Sequence, residues 1–257
     1  VTIEIIGPGR AGTTIFQRAR AVGIDCRLGR DPDAVDPGVD AVVLAVPDGV
    51  VADCAAAVPD GPRIGTLAGS VPLDCLGART GRFILHPMQT LVADGGPDQL
   101  VGATAGITAD EPATAVWAGD LATALGMRPL AVPDACRPLP HLACVFASNL
   151  LIAPLVAATR TLRAAGFDAA ATAAALTPLA LRAVELALAE GTDAQPTGPL
   201  ARGDADTIRR HRRVLVDVDP ALEHTYRTLS HLALEHVPTA SADVVAPVLM
   251  EPIGVGT

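Results

Sequence analysis

Residues 3–12 carry the clearest chemical message of the chain: Ile3-Glu4-Ile5-Ile6-Gly7-Pro8-Gly9-Arg10-Ala11-Gly12. A run rich in β-branched residues leads into G-x-G-x-x-G, and an amphipathic stretch, residues 13–22, follows at once. Strand, glycine turn and helix in that order make a seat for the pyrophosphate of a dinucleotide. Gly7 suits the tight turn, Gly9 lets the backbone approach a phosphate, and Gly12 lets the helix pack close to the strand. The helix N-terminus then presents unpaired N–H groups to the anion. Pro8, Arg10 and Ala11 complete the loop and are expected at the cofactor with the glycines.

About 20 residues past such glycines, an acid at a strand end marks the ribose of NAD. Here residues 25–28 form a short strand that runs into Gly29-Arg30-Asp31. Arg30, with Arg10 in the glycine loop, fits the 2′-phosphate of NADP by bidentate contact. NADP is therefore the expected cofactor; NAD, for which Asp31 speaks, is second. Val46-Pro47-Asp48 ends another apolar strand. The carboxyl ends of parallel strands border the ligand crevice, so these three residues belong with the cofactor. Asp48 is equally suited to cap the helix that follows.

The chain contains no lysine; all 19 basic residues are arginines. Proton transfer near neutral pH then falls to histidine, a carboxyl, cysteine, Tyr226 or water. Four of the six histidines, His211, His224, His231 and His236, have polar or charged neighbours and read as surface residues. His86 lies at a strand end, in His86-Pro87-Met88-Gln89-Thr90, where Gln89 is a candidate substrate contact. His141 follows Pro140 in the first turn of a long helix. Ser148 and Asn149 sit farther along that helix and need polar partners, from a neighbour or from a ligand. His141 is the first choice for a proton donor and His86 the second, with Ser148 and Asn149 beside them. In residues 197–204, Thr197 and Arg202 are candidate substrate contacts, Arg202 as an anchor for a carboxylate. Asp204 reads as a helix cap.

These residues need a frame. Strand and helix signals alternate over the first hundred residues, and strand, helix, strand could follow up to residue 132. That alternation predicts a mostly parallel sheet covered on both faces. Beyond Pro140 the periodicity is helical only, with helices over 141–165, 168–190, 204–215, 220–236 and 240–250 and a loose tail over 251–257. The prolines at 129, 133, 138 and 140 read as a linker. The fold class is α/β: a Rossmann domain, residues 1–133, followed by an all-α domain, residues 134–257, for substrate and dimerisation.

Composition narrows the partners. The net charge is −9, and the one basic cluster, Arg209-Arg210-His211-Arg212-Arg213, reads as a solvated helix face, so nucleic acid is excluded. No apolar run is read as reaching the roughly 18 residues that a membrane span needs. Five cysteines without a C-x-x-C pair point to core packing, no metal site and a cytoplasmic setting.

Taken together, residues 7–12, Val46-Pro47-Asp48, residues 86–90, His141 with Phe146-Ala147-Ser148-Asn149, and residues 197–204 resemble a known family. It is the Rossmann-like oxidoreductases whose helical C-terminal half is catalogued as a domain of unknown function. That family is similar in architecture to ketopantoate reductase, 6-phosphogluconate dehydrogenase, pyrroline-5-carboxylate reductase and prephenate dehydrogenase. The resemblance implies a nicotinamide cofactor on the N-terminal sheet, a small-molecule substrate in an interdomain cleft, and a homodimer built through the helical domain. Two departures stand out. The family's His-x-Ser-Gly-like segment is here Thr66-Leu67-Ala68-Gly69-Ser70, and its tyrosine before the helical histidine is here Pro140. The expected activity is NADP-dependent reduction of a small 2-oxo acid or related carbonyl, ketopantoate-like. The alternatives are an imine or opine-type C=N reductase, and a cofactor-binding protein with a degenerate, non-catalytic site.

Overall fold

The computed structural model describes residues 1–191 and 194–253; residues 254–257, the end of the expected tail, lie outside the described residues. The chain forms two compact units, Val1–Asn149 and Leu150–Thr257.

The first unit holds β1 (Thr2–Ile6), α1 (Arg10–Ala21), β2 (Asp25–Gly29), β3 (Ala41–Leu44) and α2 (Val51–Ala57). It continues with β4 (Arg63–Thr66), β5 (Arg82–Met88), β6 (Thr104–Ala109), α3 (Pro112–Ala124), β7 (Arg128–Ala131) and α4 (Pro138–Ala147). The strands form one sheet in the order β2-β1-β3-β4-β5-β6-β7. β6 runs antiparallel to β5, and the other neighbours are parallel.

Successive side chains on a strand point to opposite faces. Ile3, Ile5 and Val43 therefore join Ile15 of α1 and Leu121 of α3 on one face. Ile6, Val42, Leu44 and Ile64 join Val51 and Ala55 of α2 on the other. Strands buried on both faces need near-continuous apolar runs, and β3 (Ala-Val-Val-Leu) is one. β7 is exposed throughout and lies at the edge of the sheet, where Pro129 is tolerated. β2 and β3 flank β1 on opposite sides, so the chain reverses direction across β1. The crevice at such a reversal lies outside the carboxyl ends of β1 and β3. Residues 7–12 and 45–48 occupy that position.

The second unit holds α5 (Ile152–Ala164), α6 (Ala169–Glu190), α7 (Pro199–Arg202), α8 (Ala205–Val218), α9 (Pro220–Ala233) and α10 (Thr239–Met250). Its small core joins Ile208 to Val245, Val248 and Leu249. Asp168, Asp204 and Asp219 cap α6, α8 and α9 through backbone N–H groups. Arg212 is buried and donates to Glu223 Oε1 at 2.7 Å and to the carbonyls of Val248 and Glu251. Arg209 pairs with Glu251 at 2.9 Å. The basic cluster is thus only partly the solvated face expected: Arg209 and Arg212 tie the end of α10 to α8.

Three further expectations change. The proline-rich stretch does not separate the units, because α4 belongs to the first and the division follows Asn149 rather than residue 133. The helix expected over 141–165 is broken between Ala147 and Ile152. Pro154 supplies a reason: it has no N–H for the Leu150 carbonyl, and its ring clashes with that carbonyl in a continuous helix. Finally, contrary to expectation, the apolar stretches Pro138–Ala164, interrupted after Ala147, and Ala169–Glu190 are long and apolar enough to cross a membrane by length and composition, and almost none of their residues is fully buried in this chain.

A close contact tests the sheet packing. A Cβ on Gly65 would stand 2.3 Å from the ring of Phe83, which is fully buried. Gly65→Ala is expected to destabilise the first unit by about 1–3 kcal/mol, the usual penalty of an overpacked core. Urea unfolding followed by the fluorescence of Trp117, edge-on to Phe83, reads this out.

Candidate active site

The glycine loop has the geometry of an anion seat. Gly7 has φ +111°, and a Cβ there would stand 2.4 Å from the Ala45 carbonyl oxygen. A Cβ on Gly12 would lie 2.0 Å from the Gly7 carbonyl oxygen. Neither position accepts a side chain, and α1 is thereby drawn down onto β1 and β3. Gly9 differs: a Cβ there would meet no atom within 4 Å, so the loop is open on that side. Gly9 caps α1 without a side-chain hydrogen bond, and the N–H groups of Arg10, Ala11 and Gly12 have no acceptor within the helix. These features fit a dinucleotide pyrophosphate.

A cleft of about 700 Å³ opens from this loop and is lined entirely by the first unit. Gly9, Arg10, Ala11 and Pro47 form one end, with Ala45. His86, Gln89, His141, Ser148 and Asn149 line the rest, with Leu67, Thr90 and Cys144. The cofactor loop and the two histidines of the sequence analysis thus meet in one cavity.

The rings of His86 and His141 lie 5.5 Å apart, centre to centre. His86 Nδ1 is 3.0 Å from the Leu67 carbonyl. A carbonyl only accepts, so Nδ1 carries the proton and Nε2 of the neutral ring keeps a lone pair. Burial holds His86 below the ordinary histidine range; His141 and Arg137 push it the same way, against the Leu67 hydrogen bond and Asp48. Gly69 is wedged against both rings: a Cβ there would stand 2.7 Å from His86 and 2.8 Å from His141.

The remaining candidates fall as follows. Ser148 ends α4 instead of lying inside a long helix. Its hydroxyl is 2.6 Å from the Cys144 carbonyl and 2.8 Å from Asn149 Oδ1. Gln89 Oε1 accepts the Thr90 N–H at 2.9 Å, which leaves its NH₂ to donate elsewhere. Asp48 does not cap a helix; it accepts the hydroxyl of Ser70. Val46 packs against the core beside Gly7, and the Pro8 carbonyl accepts the Thr13 hydroxyl at 3.3 Å. Arg30 is exposed just past β2, and neither it nor Arg10 makes an ion pair or side-chain hydrogen bond among the described residues. Asp31, the residue that spoke for NAD, spends its carboxylate on the N–H of Asp33 at 3.1 Å. Thr197 and Arg202 belong to the second unit, both exposed, one before α7 and one at its end.

Four contributors escaped the sequence analysis: the Leu67 carbonyl, Gly69 as a wedge, Ser70, and Arg137. Arg137 is buried, and its guanidinium reaches the Gly69 carbonyl at 2.8 Å. The thiol of Cys144 faces the cleft rather than a core, and Cys136 is exposed.

A doubly covered sheet with a glycine turn after its first strand, joined to an all-helical unit, defines a two-domain protein of Rossmann type. The chain belongs to the family of the domain of unknown function DUF2520, whose model matches residues 103–233. Among solved structures it is similar in fold to a candidate NADP oxidoreductase from Bacteroides fragilis, with 22% identity over 91% of this chain and 98% of the other and a TM-score of 0.76. It is similar also to a reductive aminase from Aspergillus terreus in complex with NADPH, with 18% identity over 96% and 98% and a TM-score of 0.65. An NADH-preferring ketol-acid reductoisomerase from an uncultured archaean shares 12% identity over 95% and 85%, with a TM-score of 0.59. No curated protein matches the chain.

The depressed basicity of His86 has a consequence for stability. The unfolded chain takes up a proton on this ring near its ordinary value of 6.5, before the folded chain does. The stability associated with neutral His86 is therefore present above that value and lost as the pH falls through it toward the folded value. Urea unfolding between neutral pH and about pH 5 should show wild type losing more stability than His86→Gln. Equal losses would contradict the burial of a neutral imidazole.

Proposed function

We propose that this chain is an NADPH-dependent oxidoreductase that reduces a small carbonyl compound, a 2-oxo acid or a near relative. The observation that carries this reading is the single cleft that joins the N-terminus of α1 to the His86–His141 pair. NADPH seated on the glycine loop would supply the hydride. The amides of residues 10–12 bind the pyrophosphate, and Arg10 and Arg30 take the 2′-phosphate. One oxygen of Asp31, the residue that favours NAD, is already engaged by the Asp33 N–H. His141 donates the proton to the developing alkoxide. His86, whose burial disfavours the imidazolium, carries little proton to give near neutral pH and instead orients substrate through Nε2. Gln89 and Asn149 offer amide groups to the substrate.

A second reading, reduction of C=N, is supported by one specific feature. The Nε2 lone pair of His86 accepts a hydrogen bond from a protonated imine, which needs no further acid. Binding of the cofactor without turnover is the third outcome that an assay must allow.

A homodimer built through the helical unit is part of the proposal. α6 spans about 33 Å at 1.5 Å per residue, yet only Thr172 on it is buried. Leu155 of α5 and Leu179, Leu181, Leu186 and Leu188 of α6 are exposed. Helices this apolar bury themselves against something. Lipid suits them poorly, because Arg182 and Glu185 form an exposed ion pair in the inner part of α6. Leu181 and Leu188, seven residues apart, share one face of α6, and a second copy of that face fits an interface with a polar rim. The free thiols, Cys136 exposed among them, suit the reducing conditions of a cytoplasm.

Three measurements test these points. A panel of 2-oxo acids and cyclic imines, followed by NADPH absorbance, should show turnover of a carbonyl. His141→Ala should lower kcat by about 10²-fold with NADPH affinity unchanged. Loss on His86→Ala alone would reverse the two roles, and turnover of imines only would favour the second reading. In fluorescence titrations NADPH should bind more tightly than NADH, and Arg30→Ala should weaken NADPH alone, by about tenfold. Equal affinities in wild type would overturn the NADP assignment. Light scattering without detergent should give twice the 26.1 kDa chain mass, and Leu181→Glu with Leu188→Glu should give the monomer. Wild type that stays monomeric, or that sediments with phosphatidylcholine vesicles, would contradict the dimer.

A further inference from the structure

Arg137 stands just before α4 and is only 3% exposed. A guanidinium has five N–H donors in a planar fork. Nε donates to the Val71 carbonyl at 2.9 Å and Nη1 to Thr108 Oγ1 at 2.8 Å. Nη2 donates to the carbonyls of Ala68 and Gly69 at 3.1 and 2.8 Å. The nearest carboxylate, Asp134 Oδ1, is 3.9 Å away and already accepts the Leu73 N–H at 3.0 Å. Arg137 thus gives three of its four close contacts to one loop and the fourth to Thr108 of β6, rather than to a counter-ion. A charge so deeply buried is tolerated only because it is hydrogen-bonded.

The loop it holds meets the cleft at three points. The Leu67 carbonyl, one residue before it, accepts a hydrogen bond from Nδ1–H of His86. Gly69 lies against both imidazoles. Ser70 donates to Asp48, at the end of the crevice that borders the cofactor loop. On the other side, the His141 N–H reaches the Arg137 carbonyl at 3.4 Å, and residues four apart share one face of a helix. One residue therefore holds the loop under His86 through its guanidinium and the first turn that carries His141 through its own carbonyl.

The geometry points to Arg137 as the positioning residue of this site. It clamps residues 68–71 to α4, and so sets both the tautomer of His86 and the spacing of the two imidazoles. Its effect on turnover rests on the proposed reductase activity; its effect on the imidazoles does not. Lysine at this position keeps a charge but is a single ammonium on a flexible stem, and it does not reproduce a planar fork that serves four acceptors. The Gly69 wedge explains why small movements of the loop matter. With a Cβ's width of clearance missing at both rings, a shift of Gly69 is transmitted to both.

The test uses the full chain labelled with ¹⁵N-histidine, in wild type, Arg137→Lys and Arg137→Met. Imidazole ¹⁵N spectra should show wild-type His86 as one tautomer, protonated at Nδ1. In the folded variants His86 should become a tautomer mixture, a change that a loss of global stability alone does not produce. With substrate, kcat should fall by about 10²-fold, as for a misplaced reacting group, while KM for NADPH stays within about twofold. Should both variants fail to fold, Thr108→Val removes one acceptor of the fork and should move the same signal less far. A folded Arg137→Lys or Thr108→Val protein with the wild-type His86 spectrum overturns the inference. A shifted spectrum in a protein whose wild type turns over no substrate upholds the clamp and rejects the reductase reading instead.

Discussion

The whole first unit is organised by a contact too close for any side chain. The Gly7 carbonyl lies where a Cβ of Gly12 would be, and the Ala45 carbonyl lies where a Cβ of Gly7 would be. Backbone meets backbone at the carboxyl ends of β1 and β3, and α1 begins there. Its unpaired amides are thus held at the one place in the sheet where strand order reverses. Gly9, Arg10, Ala11 and Pro47 at one end and His86, Gln89, His141, Ser148 and Asn149 beyond them line the opening above that contact. The small side chain of Ala45 and the rigid Pro47 keep the opening clear.

The chemistry at the far end depends on a second economy of space. Two imidazoles and a loop share a volume in which residue 69 has no Cβ. The loop lacks regular structure, so its carbonyls need donors from elsewhere. Arg137 supplies them from inside the protein. His86 and His141 are consequently unlike each other despite their proximity. One is fixed by a carbonyl and by burial; the other stands on a helix turn facing the same cavity.

Much of this was legible in the residues themselves. The alternation of β-branched runs and helical periodicity gives the strands and helices of the sheet in their observed order. The glycine spacing identifies the turn, and strand ends single out His86 and Pro47. The rest was hidden for particular reasons. Arg137 sits among prolines and reads as an exposed linker residue, because nothing local announces a loop that is 66 to 69 residues distant in sequence. Gly69 looks like an ordinary turn until the rings above it are seen. The break after Ala147 was readable from Pro154, but the apolar run on both sides of it favours a single helix. Asp31 resembles a ribose ligand in spacing, and its bond to the Asp33 N–H could not be read from the residues.

The central claim is that one dinucleotide lies along the cleft from the α1 N-terminus to the paired histidines. A crystal structure of the full chain with NADPH tests it most directly. The account predicts pyrophosphate oxygens on the amides of residues 10–12, the 2′-phosphate at Arg30, and the nicotinamide ring beside the gap between His86 and His141. A nicotinamide directed away from those rings, or a pyrophosphate bound anywhere but the glycine loop, would contradict it.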